Sequence, residues 1–135
     1  MFNVEDYIPH RGRTRLIDEI LEIDENNCRA QARVLPTWPL ADEGNVHIII
    51  IVELVAQIVA FSVGWNRKNM VKPGGSGVIV GIKDATFFAA GIPVGNTVTL
   101  TAKKLIDRDN YGTFTGIASD QGRILGNIEL QVYRL

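Results

Sequence analysis

The stretch HIIIIVELVAQIVAFSVGW, from His47 to Trp65, decides the fold. Between Ile48 and Gly64 the only polar side chains are Glu53, Gln57 and Ser62, and no proline interrupts the run. Four isoleucines followed by a valine favour a strand by β-propensity. Length favours a helix, because strands run to about 4–8 residues and this run fits roughly five helical turns of about 3.6 residues each. A helix that is apolar on every side has to be buried on every side. Lipid is the wrong surrounding for it. Glu53 and Gln57 lie near the middle, where an ionisable group is costly in a bilayer. The flanks also differ from those of a span, with Asp42 and Glu43 before the run and a glycine-rich turn into alternating strands after it. A buried helix of a globular domain is therefore expected.

On the N-terminal side, Val4 to Tyr7 predicts one helical turn, stopped at Pro9 because the residue before a proline avoids the α region. The run RLIDEILEI, Arg15 to Ile23, fits a short amphipathic helix or a strand. Strand is preferred, because Asp24-Glu25-Asn26-Asn27 is a turn signal and the segment after it alternates. Cys28, Ala30, Ala32 and Val34 interleave with Arg29, Gln31 and Arg33, the period-two pattern of a half-buried strand. Leu35 to Asn45 reads as a loop, with Asn45 as N-cap of the helix.

On the C-terminal side, the helix is expected to fray after Trp65, where Asn66-Arg67-Lys68-Asn69 turns polar, and to end at Pro73-Gly74-Gly75-Ser76-Gly77. That glycine run follows a helix and lacks a Gly-Lys-Ser/Thr ending, so it reads as a connector and not as a phosphate loop. Four strands follow: Gly77 to Phe88, Thr97 to Lys103, a third around Thr113 to Ala118, and a fourth from Arg123 to Val132. Turns at Pro93-Val94-Gly95, Asp107 to Asn110 and Asp120-Gln121-Gly122 separate them. The expectation is an α+β fold, a hairpin and a four-stranded meander forming a curved antiparallel sheet of about six strands around one long helix, in a single domain over residues 1–135. One helix covers only part of such a sheet. Apolar surface left at an edge strand predicts a homodimer.

Composition narrows the function classes. A chain of 135 residues with net charge -1 lacks the basic patch that nucleic-acid binding needs. A single cysteine, Cys28, excludes an internal disulfide and reads as a buried inert thiol. The N-terminal residues do not follow the signal-peptide pattern, so a cytoplasmic location is expected. Two histidines and one cysteine offer no metal-ligand spacing, and no metal or other cofactor is expected.

The chemistry points to Glu53. An acid inside the apolar run is protonated, hydrogen-bonded, or turned to a cavity or a subunit interface. Gln57 lies one turn further on the same face. Such a pair suits general acid/base work, or serves as a satisfied polar pair fixing a dimer register. His47 is six residues from Glu53, about 120° round the axis, so the two cannot meet within one helix. His10 reads as structural or solvated.

Four stretches resemble the β-hydroxyacyl-acyl carrier protein dehydratases of fatty-acid synthesis, which have the hotdog fold. They are IPHRGRTRLIDEILEID, IIVELVAQIVA, VGIKDATFF and PVGNTVTL. The acid, two residues, then Ala-Gln of the helix is the most specific. The resemblance implies a β-hydroxyacyl thioester of acyl carrier protein or coenzyme A as substrate. It makes Glu53 the catalytic acid and Gln57 the helix glutamine at the substrate. His47 and Ile48 stand where the family has a proline and a glycine whose amide polarises the thioester carbonyl, so an Ile48 N–H would bind substrate there. The family's loop histidine would fall near Pro39, and none is present. His47, reaching across a dimer, and His10 are the candidates to replace it. The chain is most similar to a divergent branch of dehydratases of polyene-type lipid synthesis. The alternatives are a hotdog acyl thioesterase, and a catalytically silent acyl-binding subunit paired with another hotdog protein.

Overall fold

A computed structural model describes residues 3–7, 15–70, 78–108 and 110–134. After a single 3-10 turn at Val4–Asp6, capped by the Asn3 side chain accepting from the Glu5 N–H, the elements run in chain order. They are β1 (Glu19–Ile23), β2 (Asn27–Arg33), β3 (Ala41–Asp42), β4 (Asn45–His47), the helix α1 (Ile50–Met70), β5 (Val78–Phe87), β6 (Gly91–Pro93), β7 (Thr97–Arg108), β8 (Tyr111–Asp120) and β9 (Arg123–Arg134). Six strands form one antiparallel sheet in the order β1-β2-β7-β8-β9-β5, and β3-β4-β6 form a second, small sheet. The large sheet wraps the helix, the α+β hotdog arrangement expected above.

The β1–β2 turn forms as its residues dictate. The Asp24 carboxylate accepts from the N–H groups of Asn26 and Asn27, both at 2.8 Å. The inward residues of β2, Cys28, Ala30 and Ala32, are buried. They face a helix whose Ile51, Leu54, Val55 and Ile58 are fully buried. Two glycines let the helix approach. A Cβ on Gly116 of β8 would run into the Val55 side chain, and one on Gly126 of β9 into Ile51.

Four expectations need correction. The helix begins at Ile50, not at His47, and runs past the expected fraying point at Trp65 to Met70, short of the expected stop at Pro73. His47 and Asn45 belong to β4, because β6 offers a partner edge: Val46 pairs Ile92 and His47 pairs Gly91. The predicted loop thus holds a hairpin, closed by Glu43 and Gly44 with φ of 49° and 83°, the two left-handed residues of a tight hairpin turn. The first predicted strand forms only from Glu19.

The four-stranded meander is also reordered. β7 pairs with β2, and β5 lies at the opposite edge beside β9. A helix of 21 residues spans about 30 Å at about 1.5 Å per residue, while six strands spaced about 4.8 Å apart span roughly 24 Å. Lying across β2, β7, β8 and β9, it delivers the chain to the far edge. The Pro9 stop, His10 and the glycine run at 73–77 lie outside the described residues.

Candidate functional site

The outer face of α1, turned away from the sheet, is not sealed. Glu53 is exposed, and Val52, Ala56, Ala60 and Gly64 are half-buried, so the expectation of burial on every side fails within one chain. The physical reason is rotation about the helix axis. Glu53 lies two residues, about 200°, from the sheet-facing Ile51. The N-terminal segments lie along one flank of this face. The Tyr7 ring meets Phe61 edge-on at 4.8 Å. The Tyr7 carbonyl sits so close to Gly64 that a Cβ there would lie 2.6 Å from it.

Next to this flank the structure brings Glu53 and Gln57 together. Gln57 is fully buried. Its Oε1 accepts from the Leu16 N–H at 2.9 Å and the Ile17 N–H at 3.4 Å, and its Nε2 donates to Glu53 Oε1 at 3.1 Å. Glu53 occupies the first turn of α1, where the positive end of the helix macrodipole favours a carboxylate. The Leu16 and Ile17 amides could not be read from sequence, because a backbone donor carries no residue signature.

Within the single chain, His47 and Ile48 each make a hydrogen bond of their own. His47 is exposed at the end of β4, and its Nδ1 accepts from the Ile49 N–H at 3.2 Å. Its remaining nitrogen, Nε2, then carries the proton of the neutral ring. The Ile48 N–H donates to the Ala90 carbonyl at 3.1 Å, which joins the helix entry to the residue just before β6. That amide is already engaged where the resemblance asks for a donor to substrate, and the Ile48 side chain is buried.

Two surface cavities lie elsewhere. One, of about 330 Å³, is lined by Ile92, Pro93, Asn96, Asp120, Arg123 and neighbours. The other, of about 300 Å³, is lined by Glu22 to Asp24, Asn27 to Arg29 and Thr101. Neither is lined by Glu53. Among the described residues no group of three or more His, Cys, Asp or Glu side chains could hold a metal ion, and no helix is long and apolar enough to cross a membrane. Cys28 is buried, and loss of hydration, aided by the negative charge of Asp24, pushes its thiol up to about 12.

Apolar side chains gather at the β5 edge of the sheet. Ile82, whose cross-strand neighbour Leu130 is buried, is itself 57% exposed, and Phe88 is 58% exposed. Phe87 is exposed as well. Other exposed apolar side chains among the described residues include Leu40, Ile49, Leu105 and Ile124.

Solved structures with this fold include the dehydratase heterocomplex ApeI:P from Xenorhabdus doucetiae, with a TM-score of 0.88 at 20% identity over 100% of this chain and 92% of that one. The virulence protein Cj0977 of Campylobacter jejuni gives 0.75 at 17% identity, over 98% and 87% of the two chains. A hypothetical thioesterase of Streptococcus pneumoniae with coenzyme A gives 0.69 at 15%, over 87% and 84%. At these identities the likeness is one of fold. No curated protein matches the sequence. The model of the ApeP-like family, described as ApeP dehydratase, matches residues 2–135, and the chain belongs to that family.

Proposed function

We propose that this chain is one half of a β-hydroxyacyl-thioester dehydratase. It supplies Glu53 as an acid/base, and a second hotdog chain closes the pocket over it and provides the complementary group. The observation that carries this reading is the state of Glu53: oriented by a buried amide yet exposed on an open helix face. A carboxylate meant only to fix a core would be covered.

The chemistry asks for two proton-handling groups. Loss of water from R-CH(OH)-CH2-CO-SR' removes a proton from the α-carbon and delivers one to the departing β-hydroxyl, leaving the conjugated alkene and water. Glu53 handles one of these transfers. The chain has only two histidines, and His47 is held by Ile49, so the second group is assigned to the partner. The match to a chain of a dehydratase heterocomplex and the family description support pairing of unlike hotdog chains over a homodimer. The coenzyme A in one similar structure supports a pantetheine-type thioester, carried by an acyl carrier protein or by coenzyme A.

The test is hydration of a crotonyl thioester and dehydration of the 3-hydroxyacyl thioester, by the chain alone and mixed with a histidine-bearing hotdog dehydratase chain from the same cell. Interconversion in the mixture, lost in Glu53→Gln, is expected. Release of free thiol would instead favour a thioesterase. A second reading, a silent acyl-binding partner, is favoured by the Ile48 N–H, which the Ala90 carbonyl already engages at 3.1 Å. It predicts full activity of the mixture with Glu53→Gln.

A further inference from the structure

We infer that the His47 imidazole is a catalytic hydrogen-bond donor, whose Nε2–H holds the thioester carbonyl oxygen while charge builds on it. This deepens the dehydratase reading and rests on it. Breaking the α C–H bond sends its electron pair toward the carbonyl. The oxygen carries that charge until the β C–O bond breaks and the alkene forms. A donor fixed at the oxygen lowers the barrier, and the two proton-handling groups do not supply one. The backbone at the helix entry is largely committed. The N–H groups of Ile48, Ile51 and Val52 donate to the carbonyls of Ala90, Ile48 and Ile49, each at 3.1 Å. That of Ile49 donates to His47 Nδ1 at 3.2 Å.

The last of these bonds prepares the histidine. An N–H cannot face another N–H, so Nδ1 is the bare acceptor and Nε2 carries the proton. Among the described residues that proton has no acceptor. A neutral imidazole can polarise a carbonyl without giving up its proton, which leaves both proton transfers to Glu53 and the partner's group. His47 stands on β4 and outside the helix, so the turn of about 120° between positions 47 and 53 of one ideal helix does not separate them. Its ring is tethered to Ile49. Ile49 and Glu53 are both exposed, four residues apart on one face and about 6 Å apart along the axis. The α-carbon and carbonyl oxygen of a thioester are two bonds apart, so one acyl group on this face reaches both. The His47 backbone is pinned as well. Its N–H donates to the Leu40 carbonyl at 3.2 Å and the residue pairs with Gly91 of β6, the kind of rigid support a positioned donor needs.

Two variants separate the donor from the cap. His47→Asn keeps an acceptor for the Ile49 N–H, as an asparagine at a helix start does, but has no donor at the Nε2 position. His47→Gln places its NH2 where Nε2 stood and gives up the bond to Ile49. In crotonyl-thioester hydration by the paired assembly, kcat is expected to fall about 10²–10³-fold in His47→Asn, the usual effect of deleting one such donor. In His47→Gln it should stay within about tenfold of the wild type. A butyryl thioester labelled at the carbonyl carbon, which can neither lose nor add water, supplies a readout apart from turnover. Its infrared carbonyl band should be lowered on binding to the wild-type assembly and to that with His47→Gln, and not with His47→Asn. Activity of His47→Asn within about threefold of the wild type overturns the inference and makes His47 a helix cap alone. A wild-type band no lower than that of His47→Asn overturns it too, as does loss of folding in both variants. A fully active Glu53→Gln removes the acid/base reading instead, and the carbonyl band then decides on His47 alone.

Discussion

Glu53 was legible as the singular residue of the chain, and its link to Gln57 followed from the spacing of four. Its exposure was not legible, because the apolar count of the helix hides which side faces the sheet. Glu53→Gln keeps the size and one acceptor oxygen but cannot exchange a proton. It should lower dehydration by the paired assembly by about 10²–10⁴-fold, the usual contribution of a positioned acid/base, as read in initial rates. Cys28 illustrates a reading from alternation alone that the structure supports: inward on β2 and buried. Its thiol is raised from 9.0 to about 12, first by burial and then by Asp24. A raised folded value means the folded state holds the proton more tightly. That contribution is complete below pH 9.0 and is lost as pH rises toward about 12. Melting curves between those limits should therefore fall more steeply for the wild type than for Cys28→Ala, and equal slopes would contradict the assignment.

At the scale of elements, the strands were visible by their alternation and the helix by its length, whereas the helix entry was misplaced. Asn45 looked like a cap, but β6 supplied Val46 and His47 with backbone partners, and a sequence pattern does not report partners as distant as Ile92 and Gly91. The turn at Glu43-Gly44 has the same backbone form as Gln121-Gly122, with both residues of each pair left-handed. The second was recognised between long alternating strands. The first was missed because β3 has only two residues. Inward glycines carry the packing of helix on sheet. At Gly116 the obstructing group is the branched Val55 side chain, stiff at χ1, so Gly116→Ala should destabilise the fold by about 1–3 kcal/mol, measured by urea unfolding. A change near zero would mean that the helix can move off the sheet without penalty.

For the whole molecule, exposed apolar side chains lie at the edge formed by β5, which the helix carries to the far side of the sheet. Local alternation gives strands without their order. Which edge remains open depends on where the helix delivers the chain. An open edge with Ile82, Phe87 and Phe88 exposed is a surface that natural sheets cover or charge, and a second hotdog chain covers it in the proposed assembly. Ile82→Lys should leave the melting temperature of the isolated chain nearly unchanged, since the side chain is largely exposed, while abolishing pairing in sedimentation velocity. Retained pairing would move the interface elsewhere.

The most direct measurement is a titration. A fixed amount of this chain is mixed with increasing amounts of a histidine-bearing hotdog chain, and crotonyl-thioester hydration is followed. The account predicts no turnover by this chain alone, a rise that saturates at equal stoichiometry, and a flat line when Glu53→Gln replaces the wild type. Turnover by this chain alone, or an unchanged rise with Glu53→Gln, would contradict it.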